Sequence, residues 1–139
     1  MHIDQFCEVL RQKVATTKSG LESLKTMIDT QAAQAEKDAR SHLEKVRDRI
    51  EQNRKKLAAS QKEAEAWVDQ RKADAKKKVA EWKAKGDIAK LRDRADFAER
   101  YAEATKEVAT AAIDEAEEAA LEAWLARKDA EVADGKTAA

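Results

Sequence analysis

The sequence predicts an all-α, elongated protein: a long antiparallel helical hairpin or coiled coil with an Ala-rich seam, assembled into an oligomeric helical bundle. Three observations predict it. The 139 residues hold no proline and only three glycines, and 30 of them are alanine. Apolar residues recur at steps of three and four on both sides of a central break. That break, Lys85-Gly86-Asp87, combines a helix stop with a helix start.

Alanine and the straight-chain residues Leu, Lys, Arg, Glu and Gln lose little freedom in a helix, so this composition favours long helices. Charged residues make up 40% of the chain and aromatics 4%, which supplies thin interhelical seams rather than a pocketed globular core. High charge also describes unfolded chains. Against that reading stand the balance of 28 basic and 28 acidic residues and the sustained periodicity.

The most regular pattern follows the break. From Ile88 the positions Leu91, Ala95, Ala98, Ala102, Thr105, Ala109, Ala112, Ala116, Ala119, Ala123, Ala126, Ala130 and Ala133 alternate steps of three and four without a charge. This reads as an a/d seam of methyl knobs that lets two helix backbones approach closely. Phe97, Tyr101, Val108, Ile113, Leu121, Trp124 and Leu125 lie beside it. The apolar face is thus wider than one partner helix needs. Gly86 tolerates a left-handed C-cap, Asp87 can cap the next helix, and Lys83 and Lys85 suit a helix C-terminus. The expected organisation is a single domain: a long helix over 3–85, the turn at 85–87, a second helix over 88–133, and a frayed tail at 134–139 after Asp134-Gly135.

Residues 1–86 hold 20 Lys/Arg and 14 Asp/Glu, and residues 87–139 hold 8 and 14, so the two parts carry +6 and −6. Such arms should pair. A tight turn at Gly86 would set Leu57 near Ala116, Ile50 near Ala123 and Leu43 near Ala130, large residues against small ones. A second helix of roughly 70 Å, at about 1.5 Å per residue, reaches back only to about Asp38. The apolar seam Ile3, Phe6, Leu10, Val14, Leu21, Leu24 and Ile28 is then uncovered, which is implausible in water. Either Ser19-Gly20 breaks the chain and folds residues 3–18 back, or these seven residues pair with another copy. A mid-helix glycine costs only about 1 kcal/mol, so the continuous helix and a homo-oligomer are preferred, a dimer being the commonest closed form.

Enzyme chemistry needs converging groups, and the sequence offers none. His42 has Ala39 three residues before it, so no Glu-x-x-His metal motif occurs, and Asp38 with His42 supplies too few ligands. No catalytic residue, metal site or cofactor is expected. Cys7, unpaired, reads as a buried structural thiol. Asp114-Glu115-x-Glu117-Glu118 spreads its carboxylates around a helix, as a solvated face or as partners for Lys/Arg of the first helix. The basic patch Arg71, Lys72, Lys76, Lys77 and Lys78, near Trp67 and Trp82, fits an anionic membrane surface or nucleic acid. Zero net charge argues against nucleic acid, and pairing with the acidic second helix is preferred over membrane binding.

The chain therefore reads as a cytoplasmic, non-enzymatic structural or interaction protein, a self-associating scaffold or adaptor that could hold another protein partner. The alternative is a reversible amphipathic-helix binder of anionic membrane surfaces or a stress-protective helical protein. In composition the chain resembles stress-protective and granule-coating helical proteins, without sharing a repeat or motif.

Overall fold

A computed structural model of the chain describes residues 2–30, 32–73 and 76–138, and the described residues are all-helical apart from short joints. The order is α1 (Ile3–Thr30), α2 (Ala32–Gln52), α3 (Arg54–Ala73), α4 (Lys76–Lys85) and α5 (Ile88–Ala138). α5, with 51 residues, forms the spine against which every other helix packs.

The reversal at Gly86 follows the sequence closely. Gly86 has φ 63°, a left-handed conformation suited to glycine. The Asp87 amide donates to the Trp82 carbonyl at 2.9 Å and the Gly86 amide to the Lys83 carbonyl at 3.3 Å. These two bonds satisfy carbonyls that the helix end would otherwise orphan. Across the turn, the Lys90 amide donates to Asp87 Oδ1 at 3.3 Å, the side-chain cap that starts α5. Gly135 behaves differently from the expected stop at Asp134-Gly135, because it lies within α5. Among the glycines only Gly86 has positive φ, and a glycine in helical dihedrals costs too little to end a helix.

Among the described residues, the segment expected as a single helix over 3–85 does not run straight but doubles back between α1 and α2. Gly20 does not break the first of them, as the small cost of a mid-helix glycine suggests. The reversal comes later, between α1 and α2, and Gln31 lies outside the described residues. α1 packs alongside both α2 and α5. It runs parallel to α5, with Phe6 under the Lys106 ammonium, Lys13 against Asp114 and Gly20 near Glu117. α2 runs antiparallel to α5, with Arg40 beside Asp129 and Arg49 beside Asp114.

The core lies where these three helices meet: Leu24, Ala35, Ala39, Leu43, Val46, Leu121 and Leu125, with Leu21, Met27, Ile28, Ile50 and Trp124 packed around them. The expected register is shifted. Leu43 packs in the cluster of Leu121 and Leu125 rather than at Ala130, and Lys56, beside Leu57, pairs with Glu107 rather than lying near Ala116. Asn53 interrupts the helix between α2 and α3, and residues 74–75 lie outside the described residues. Toward the turn, α3 contributes the buried Ser60 and Trp67, whose ring stacks on Phe97 at 5.6 Å and Tyr101 at 5.3 Å.

α5 also presents a different face from the one expected. Ala109, Ala112, Ala116, Ala119, Ala123, Ala126, Ala130 and Ala133 are exposed, while Leu121 and Leu125 are buried and Val108 and Trp124 are half-buried. From Ala109 onward the Ala-rich seam is therefore not the internal seam, whereas its earlier members Leu91, Ala98, Ala102 and Thr105 are half-buried. Burying a leucine or tryptophan removes far more apolar surface from water than burying a methyl, so the larger residues win the inward position.

Candidate functional site

The inward face of α5 carries acids as well as leucines. Asp114 and Glu117 lie seven and four residues before Leu121, so turning Leu121 inward turns both carboxylates inward with it. They are the buried acidic residues of the described chain. Each is met by cations from the flanking helices. Lys13 Nζ of α1 lies 2.5 Å from Asp114 Oδ1. Arg49 of α2 places Nη2 3.2 Å from Glu117 Oε1 and Nε 3.4 Å from Asp114 Oδ1. His42 Nε2 is 3.2 Å from Glu117 Oε2. His42 gets this close because Gly20 of α1 has no side chain. A Cβ there would sit 3.0 Å from His42 Cε1. The buried Arg49 Nε makes no hydrogen bond, although its charge lies beside Asp114.

This cluster ties three helices together by charge. Outside it, Arg47 pairs with Glu118 and Glu122, Arg40 with Asp129, and Lys56 with Glu107. The run 114–118 is thus chiefly a partner for cations of the N-terminal helices, with Glu115 left exposed. Among the described residues, no group of three or more His, Cys, Asp and Glu side chains could hold a metal ion. Cys7, expected to be buried, is exposed on α1. Its position on the outer side of α1 follows from the inward row Phe6, Leu10, Lys13, Thr17, Leu21 and Leu24.

The seven residues expected to self-associate are divided. Leu24 is buried in the core, and Leu21 and Ile28 pack against it. Phe6 and Leu10 are half-buried, while Ile3 is 67% and Val14 53% exposed. The seam 3–28 is therefore largely covered by its own chain, which removes the reason it was expected to need another copy. What remains open is a shallow apolar depression of about 430 Å³, lined by Val14, Leu21 and Ile113 with the stems of Lys18 and Lys25. It lies between α1 and the outer face of α5.

The basic patch also departs from expectation. Arg71, Lys72, Lys76, Lys77 and Lys78 are all exposed. Among the described residues none of them has a carboxylate within ion-pair distance. The α5 segment beside α4 has no acidic excess, because Asp87 and Asp93 are outnumbered by its own cations Lys90, Arg92 and Arg94. The acids of α5 that make ion pairs to the other helices lie farther on, at 107–129. A groove of about 780 Å³ opens here, walled by Trp67, Arg71, Lys76, Lys77, Lys83 and Arg94.

Sequence reasoning missed the cluster in which the half-buried Lys13, His42 and Arg49 meet the buried Asp114 and Glu117. The signal was available: Asp114 and Glu117 share the helical face of Leu121 and Leu125. Among the described residues, no helix is long and apolar enough to cross a membrane. Comparison of the chain with protein-family models, curated proteins and solved structures gave no match.

Proposed function

We propose that this chain is a non-enzymatic interaction protein, a helical-hairpin coiled coil with α1 folded along it, that self-associates through the outer face of α5 and serves as a scaffold or adaptor. The carrying observation is the solvent-facing ladder Ala109, Ala112, Ala116, Ala119, Ala123, Ala126 and Ala130, spaced by threes and fours without a charged member. A ladder of methyl groups lets a second helix come close, and the same ladder on a second copy is its complement in a two-fold dimer. The apolar depression at Val14, Leu21 and Ile113 flanks the ladder and widens the contact. Two residues from the N-terminal seam, Val14 and Leu21, thereby stay in the interface. The buried charge cluster supports a scaffold role by fixing helix register rather than by offering reactive groups to solvent.

Sedimentation equilibrium over a wide concentration range tests this. The expected result is a reversible dimer that becomes monomeric in an Ala116→Glu/Ala123→Glu variant with unchanged helical circular dichroism. A monomer at all concentrations, or a dimer indifferent to both substitutions, would overturn it.

A further inference from the structure

We infer that the turn end of the molecule, the described residues of the segment 71–94 together with Trp67, docks end-on to an anionic phospholipid surface. This stands apart from self-association, which uses the opposite length of α5. The segment holds ten Lys/Arg and four Asp/Glu, a net of +6, so the remaining residues carry −6 and the whole chain is neutral. A rod charged in this way is oriented by a negative sheet: its basic end is drawn in and its acidic remainder held away.

Lys90 is engaged by Asp87 and by the Trp82 ring, but four other lysines of this end have no described carboxylate partner. Lys76, Lys77, Lys78 and Lys83 are exposed, and no described carboxylate lies within ion-pair distance of them, in contrast to the neutralised cations of α2. The groove walled by Trp67, Arg71, Lys76, Lys77, Lys83 and Arg94 is wide enough, at about 780 Å³, to admit a phosphate headgroup among several cations. Ile88, 59% exposed, stands in the first turn of α5, with Lys85 three residues before it and Lys90 two after. Shallow burial of an apolar side chain with cations at the headgroup level is the chemistry of interfacial membrane binding.

The aromatic residues argue for lipid over single-stranded nucleic acid. Base stacking needs free ring faces. The Trp67 ring lies against Phe97 and Tyr101, the Phe97 ring is covered by the Arg100 guanidinium at 4.9 Å, and Lys90 sits over Trp82 at 5.8 Å. What this end offers a ligand is chiefly cationic, with Trp67 as one wall of the groove and Ile88 as an exposed aliphatic group.

Co-sedimentation of the full chain with vesicles is the test, comparing phosphatidylcholine alone with phosphatidylcholine containing about a third phosphatidylserine. Binding to the anionic vesicles only, weakened by raised salt, is expected. A Lys76→Glu/Lys77→Glu/Lys83→Glu variant should lower the partition coefficient at least tenfold. Ile88→Ser, which leaves every charge in place, should lower it by a smaller factor and serves if the triple variant loses helicity. Equal binding to neutral vesicles, no binding to either, or indifference to both variants would overturn the inference. So would tight anisotropy-detected binding of a single-stranded oligonucleotide by a chain that ignores the vesicles.

Discussion

Leu121 and Glu117 lie one turn apart on the same face of α5, and both are buried, at 1% and 3% exposure. A leucine and a carboxylate sharing a buried face shows how this helix chose its orientation. One option buries the alanine ladder and leaves Leu121, Trp124 and Leu125 in water. The other buries those larger residues and brings Glu117 and Asp114 in with them. Full burial of a Leu side chain contributes about 1.5–3 kcal/mol, and half-burial of Trp124 adds to it. Burying the carboxylates costs several kcal/mol unless they are paired. The second option prevails because Lys13, His42 and Arg49 are placed to meet the acids.

The first prediction sets the two faces against each other. Leu121→Ala should destabilise the chain by about 2–4 kcal/mol, the range for a truncated core leucine. Ala123→Glu, two positions away and exposed, should change stability by less than about 0.5 kcal/mol. Urea unfolding followed by circular dichroism, at a concentration where the chain is monomeric, measures both. A larger loss from Ala123→Glu would mean that α5 is turned the other way.

A second prediction concerns the pairing that lets the acids be buried. Lys13 and Asp114 side chains are 18% and 5% exposed and come from helices far apart in sequence. A double-mutant cycle with Lys13→Met and Asp114→Asn should give a coupling of about 1–2 kcal/mol. The pair Arg11–Glu8, on the solvent side of α1 with side chains 68% and 48% exposed, is the contrast. The Arg11 hydrogen bond holds the Glu8 carboxyl below its usual range, with Arg11 charge adding to the effect. A carboxylate lowered in the folded state contributes stability above its unfolded pKa and loses it as pH falls through the folded value. Solvent screening at so exposed a pair should leave Glu8→Gln with the same acid-unfolding midpoint as the parent. A shifted midpoint, or a Lys13–Asp114 coupling near zero, would contradict this division of roles.

Much of the fold was legible because its signals are local. The turn at Gly86 needed one residue tolerant of positive φ and one capping carboxylate, and both stand in adjacent positions. The helical content followed from composition and spacing. The reversal after α1 was not legible, because Asp29-Thr30-Gln31-Ala32 contains neither glycine nor proline. The inward face of α5 was misread for a different reason. An uninterrupted alanine ladder matches a heptad better than the true face, which is interrupted by Asp114 and Glu117. Pattern matching penalises those charges, whereas the folded chain pairs them. The basic patch was assigned an internal partner from the charge of whole arms. Its real neighbours are the first residues of α5, where Lys90, Arg92 and Arg94 stand among Asp87 and Asp93, so this stretch lacks the acidic excess of the arm as a whole.

The close approach of α1 to α2 at Gly20 yields the third prediction. In an isolated helix, Gly→Ala gains about 1 kcal/mol from propensity. Here the added methyl would meet His42 Cε1 at 3.0 Å and Glu117 Oε2 at 3.8 Å. The ring must move, and its hydrogen bond to Glu117 at 3.2 Å resists the motion. Gly20→Ala should therefore leave stability nearly unchanged, the gain in propensity offset by the displaced ring. In a His42→Ala background the obstacle is gone, and Gly20→Ala should recover about 1 kcal/mol. Gly20→Leu should cost about 1–3 kcal/mol in the parent, as overpacking does. Urea unfolding of these variants separates the two arrangements of the chain. If α1 and α2 formed one straight helix, Gly20 would face no neighbour there, and both Gly20→Ala and Gly20→Leu would stabilise the protein whatever occupied position 42.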